Sequence, residues 1–95
     1  MDEFVLEFYA SRSDTADVKR RAQRARRAAD ALTREGTPVR FVRSIYVPED
    51  ETCFLLVEAP TVEAVRETAS RAELLFERVV EAAVDLTNSK EGSRQ

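Results

Sequence analysis

Two strand-like runs near the middle of the chain, Val39 to Val47 and Thr52 to Glu58, are separated only by Pro48-Glu49-Asp50-Glu51. A link of about four residues joins antiparallel neighbours, because a parallel crossover needs a dozen residues or more. This hairpin therefore restricts every fold open to the sequence. Helix-period segments bracket it on both sides. Before it, over 15–35, Val18, Ala22, Ala25, Ala29 and Leu32 recur at spacings of four, three, four and three, the stripe of an amphipathic helix. Ser11-Arg12-Ser13-Asp14 offers capping side chains at its start, while Gly36 and Pro38 stop it. After the hairpin, Pro60 ends the strand and Thr61 opens a second helix with stripe Val62, Val65, Ala69 and Ala72. Four of the first stripe's five residues are small or medium, so that helix can lie close to whatever it covers.

The outer segments complete the order. Residues 3–9, Glu-Phe-Val-Leu-Glu-Phe-Tyr, read as a strand with Phe4, Leu6 and Phe8 on one face and Val5, Glu7 and Tyr9 on the other. Residues 78–85 read as a closing strand. The sequence thus predicts an α+β ferredoxin-like βαββαβ sandwich, a four-stranded antiparallel sheet with two helices on one face. The domain is expected over 1–86, with a disordered polar tail over 87–95. One sheet face is left uncovered, with apolar residues from at least two strands. A second copy of the chain is the simplest cover, so a homodimer through that face is expected.

Composition narrows the chemistry. The 95 residues suffice for one domain, and the net charge of -3 proposes no polyanionic partner. Histidine is absent, which removes the commonest general base near neutral pH and the commonest metal ligand. The single Cys53 cannot form an internal disulfide, and without histidine it lacks the usual partner of a nucleophilic thiolate; a buried, inert thiol is expected. Met1-Asp2-Glu3 lacks the basic start of a secretory signal, and no run approaches a membrane span. The expected location is the cytoplasm, with no membrane partner.

Charges inside strands are the remaining signal. Glu7, Tyr9, Arg43, Glu58 and Glu81 are the candidate ligand-binding residues, with no catalytic residue, metal ligand or cofactor assigned. Alternation groups Arg43 with Phe41 and Ile45, as it groups Glu7 with Val5 and Tyr9. If these two faces coincide on the uncovered side, an arginine among carboxylates near the dimer seam could bind a polar small molecule or hold the interface in register. Tyr9 and Tyr46 read as half-buried packing residues. Asp14, Asp17, Glu49, Asp50 and Glu51 could in principle hold a hard cation, but they lack the spacing and glycine of a calcium loop and read as solvated turn acids. The first helix carries Lys19, Arg20, Arg21, Arg24, Arg26, Arg27 and Arg34. Negative overall charge and strands without an aromatic RNA-binding signature argue against nucleic acid and for a solvated helix.

The block Arg43-Ser44-Ile45-Tyr46-Val47-Pro48-Glu49-Asp50-Glu51-Thr52-Cys53-Phe54, followed by Glu58-Ala59-Pro60 and Val62-Glu63-Ala64-Val65-Arg66, resembles a family of small ferredoxin-like proteins. One member type is nickel-responsive and nickel-binding. The likeness runs over roughly residues 3 to 84 and includes Arg78-Val79-Val80-Glu81. It implies a ferredoxin-like fold, usually dimeric, with most members lacking an assigned activity. Family members commonly carry histidines near the positions of Arg43 and Thr68, and this sequence has neither, so nickel binding is not carried over. The resulting expectation is a non-enzymatic, dimeric, ligand- or ion-responsive protein. A small dimeric α/β-barrel enzyme lined by Glu7, Tyr9, Arg43 and Glu81, or a nucleic-acid module using the basic helix, are the alternatives.

Overall fold

The computed structural model describes residues 1–82. Its elements are β1 (Asp2–Tyr9), α1 (Thr15–Arg34), β2 (Arg40–Val47), β3 (Thr52–Ala59), α2 (Val62–Arg71) and β4 (Arg78–Glu81). The strands pair in the order β2-β3-β1-β4, all antiparallel. This is the predicted ferredoxin-like arrangement, and each element lies within a few residues of its expected limits. Positions 83–85 of the expected last strand, the domain limit at 86 and the tail over 87–95 lie outside the described residues. No described helix is long and apolar enough to cross a membrane.

The core lies between the sheet and the two helices. β1 contributes Phe4, Leu6 and Phe8, and β3 contributes Cys53, Leu55, Val57 and Ala59. Ala25, Ala28 and Ala29 of α1 meet them together with Val18 and Leu32, while α2 adds Ala64, Val65 and Ala69. Alanines at the contact let the helices sit close to the sheet, so the large side chains of the strands fill the space. Burying each large apolar side chain contributes about 1.5–3 kcal/mol.

Local chemistry sets the helix ends. The Asp14 carboxylate accepts the Asp17 backbone N–H at 3.0 Å, and the Thr61 hydroxyl oxygen accepts that of Ala64 at 3.2 Å. Both C-termini close with paired backbone bonds around a left-handed residue. At α1 the N–H groups of Gly36 and Thr37 donate to the carbonyls of Thr33 and Leu32 at 3.1 and 2.9 Å, with Gly36 at φ +106°. At α2 those of Glu73 and Leu74 donate to Ser70 and Ala69 at 3.1 and 2.9 Å, with Glu73 at φ 57°.

One irregularity in β2 sets which of its side chains reach the open face. The β2–β3 register steps from Phe41 opposite Val57 to Arg43 opposite Leu56, so Val42 is an extra residue in β2. This bulge reverses the alternation across it. Phe41 packs against the core beneath α1, while Arg43 and Ile45 fall on the uncovered face. The expected grouping of Arg43 with Phe41 is thereby corrected: simple alternation does not survive an inserted residue.

Candidate functional site

The uncovered face is an ordered grid, because residues opposite one another in a ladder share a face. One row across the strands is Arg40, Glu58 and Glu3. The next is Arg43, Leu56, Val5 and Val80. Then come Ile45, Phe54, Glu7 and Arg78, and finally Val47, Thr52 and Tyr9. The middle of the face is thus apolar, and Ile45 and Val80 stay 49% and 42% exposed in the single chain.

Charges on this face mostly neutralise one another. Arg40 Nε donates to Glu58 Oε1 at 2.8 Å, and Arg78 Nε donates to Glu7 Oε1 at 2.8 Å. The hydrogen bond from Arg40 holds the Glu58 carboxyl below the usual carboxylate range, against a smaller opposing effect of desolvation. Arg43 differs: among the described residues no carboxylate lies within ion-pair reach of it.

Four of the five sequence-derived site residues, Glu7, Tyr9, Arg43 and Glu58, therefore share one face. They do not form a single cluster, since Glu7 and Glu58 each bind a different arginine. Glu81 does not join them. It stands opposite Phe4, a core residue, and so lies on the helix side of the sheet. Strand alternation carries Val79 and Glu81 to that side while Arg78 and Val80 face outward. Tyr9 is 56% exposed, more open than a half-buried packing residue. Tyr46 fits that description, packed against the core with its hydroxyl donating to the Ser11 carbonyl at 2.5 Å. Sequence reasoning missed Arg40 and Arg78. Both are charged strand residues like those that drew notice, but only the register reveals which carboxylate each one meets.

The other candidates are occupied by structural roles. Cys53 is buried, and desolvation pushes its thiol pKa up while the Arg21 charge pulls less strongly the other way. Arg21 closes that end of the core: its guanidinium carbon sits 4.5 Å from the Phe8 ring centroid and Nη1 donates to the Tyr9 carbonyl at 3.0 Å. Its Nε lies 2.9 Å from Asp17 Oδ2. Among the turn acids, Asp14 caps α1 and Glu51 accepts the Arg12 backbone N–H at 3.0 Å. Among the described residues, no three Cys, Asp or Glu side chains gather as a metal site. On the basic helix, Arg24 Nε donates to the Ala72 carbonyl at 2.8 Å and Arg26 stacks 4.8 Å from the Phe41 centroid. Two shallow grooves lie on the helix side. One, of about 400 Å³, includes Arg26, Asp30, Pro38 and Phe41; the other, of about 330 Å³, includes Arg24, Arg27 and Arg71.

Comparison with known proteins adds two findings. The family model described as "Nickel responsive protein SCO4226-like" matches residues 9–82. The crystal structure of SCO4226 from Streptomyces coelicolor A3(2) superposes with a TM-score of 0.66 at 23% identity, covering 87% of this chain and 98% of that one. At that identity the likeness speaks for the fold alone. No curated protein matches the chain.

Proposed function

The chain belongs to the SCO4226-like family of nickel-responsive proteins, and from that premise we propose that it is a non-enzymatic, homodimeric binding protein. The uncovered sheet face closes against a second copy and holds a small ligand at the seam. Glu7, Tyr9, Arg43 and Glu58 are among the polar groups available there. The observation that carries this reading is the face itself, an apolar centre flanked by the Arg40–Glu58 and Arg78–Glu7 ion pairs. An exposed patch of that kind marks an interface more often than a free surface. Its size suits a second copy. Three eight-residue strands and one of four residues present roughly 440 Å² by strand rise and spacing. Specific interfaces begin at roughly 600 Å² per partner, and side-chain relief adds to the planar figure.

Nickel itself does not fit the residues present. Nickel favours imidazole nitrogen or thiolate sulfur; the sequence has no histidine, and its single cysteine is a buried thiol with a raised pKa. The ligand is therefore assigned to the sheet face and not to a metal centre. The basic helix is not proposed for nucleic acid, since Arg20, Arg21, Arg24 and Arg26 all make contacts within the chain.

Sedimentation equilibrium at micromolar concentration tests the reading. The expected result is a species of twice the 10.8 kDa chain mass, which Leu56→Arg converts to monomer with unchanged circular dichroism. A monomeric wild-type chain would remove the dimer from the proposal.

A further inference from the structure

Charge matching on the uncovered face leaves one group over. Glu58 is held by Arg40, and Glu7 is held by Arg78. Arg43 alone on this face has no carboxylate in ion-pair reach among the described residues. Exposed on a single chain, such a guanidinium is simply hydrated. Covered by a second copy it is costly, because a desolvated charge without a counter-charge loses its hydration and gains nothing in return.

The bulge at Val42 places it there. An unbroken β2 would keep Phe41 and Arg43 on the same face, either exposing the phenyl ring or turning the guanidinium into the core. With the extra residue, Phe41 stays beneath α1 under the Arg26 guanidinium while Arg43 points out of the sheet. Bulges are over-represented on edge strands, of which β2 is one, and beside active sites, where they re-aim a side chain.

The neighbours of Arg43 define what could meet it. Its row continues through Leu56 and Val5 to Val80, one cation followed by three aliphatic side chains across the four strands. With strands about 4.8 Å apart, the row spans roughly 14 Å. We propose that this row binds an amphiphilic anion, a carboxylate with an extended aliphatic body. The carboxylate pairs with Arg43, and the body lies along Leu56, Val5 and Val80. The assignment rests on the dimeric reading above, since the second copy closes the row and excludes water from the ion pair.

Octanoate, octanol and octylamine are the probes, titrated calorimetrically below their aggregation concentrations and followed in parallel by sedimentation equilibrium. Octanoate is expected to bind and to tighten the dimer, because a ligand that prefers the dimer stabilises it by mass action. Octanol and octylamine bind at least tenfold more weakly, the usual effect of losing a charge-assisted hydrogen bond. Arg43→Gln loses at least tenfold in octanoate affinity and no longer responds in sedimentation, while Arg27→Gln on the helix layer behaves as wild type. Three results would overturn the inference: octylamine binding as tightly as octanoate, a dimer that ignores octanoate, or an Arg43→Gln chain that dissociates without any ligand. The last would mean that a carboxylate of the second copy meets Arg43. Octanoate bound one-to-one to a monomer with Arg43 dependence would uphold the anion assignment and defeat the dimer instead.

Discussion

The two faces of this sheet are made by the same strands yet obey different rules. On the helix side Leu6, Phe8, Leu55 and Val57 are fully buried among alanines. On the other side, the residues one step along, Val5, Leu56 and Phe54, are only half covered and are bordered by ion pairs. The helix side is complete within one chain, while the other keeps apolar surface in water. Stability of the protomer should therefore reside on the first face and association on the second.

The largest effect that could break this contrast comes from adjacent leucines. Leu55→Ala is expected to cost about 2–5 kcal/mol in urea unfolding through loss of contacts and the cavity left behind. Leu56→Ala, its immediate neighbour, is expected to cost about 1 kcal/mol or less at concentrations where the chain is monomeric, while weakening the dimer tenfold or more by sedimentation. Equal costs in the monomer would abolish the distinction between the faces.

A smaller effect tests the helices that make the covered face. Gly36 and Glu73 occupy the same position past their helices, both with positive φ, but only glycine adopts that backbone without strain. Gly36→Ala should lower stability by about 1 kcal/mol, from the backbone alone, since an added Cβ meets nothing within 4 Å. Glu73→Gly should raise it by up to about 1 kcal/mol. Thermal unfolding with opposite shifts for the two variants would bear this out; shifts of the same sign would not.

The smallest effect is electrostatic and belongs to the open face. Arg40 lowers the Glu58 pKa below its ordinary 4.5, so folding favours the ionised carboxylate. That contribution is present above 4.5 and disappears as pH falls through the lowered folded value. Glu58→Gln should flatten the acid limb of the stability–pH profile slightly, as expected for an exposed, solvent-screened pair. A steeper acid limb in the variant would contradict the assigned sign.

Much of this was legible from local pattern. The alanine stripe of α1, the Asp14 and Thr61 caps, Gly36 past the helix end and the short hairpin all act within a few residues, so they can be read without knowing the fold. Element order then restricts the topology, because right-handed crossovers leave few ways to arrange two helices and four strands. The open face followed from the same reasoning, and alternation grouped Glu7 and Tyr9 on one side of β1, while the burial of Phe4, Leu6 and Phe8 made that side the open one.

What the chain alone did not disclose depends on one strand's position against another. The bulge at Val42 exists only relative to β3, and it separates Arg43 from Phe41. The placement of Glu81 beside Phe4 depends on where β4 meets β1. The partners of Glu7 and Glu58 are set by registers linking residues 71 and 18 positions apart, a separation over which sequence pattern carries no signal. Periodicity thus determined the elements, their ends and the layer they form, because those arise from each segment's own backbone and side chains. Tertiary pairing decided which charges neutralise one another and which arginine is left over, because Coulomb and hydrogen-bond contacts depend on distances that only the assembled sheet defines.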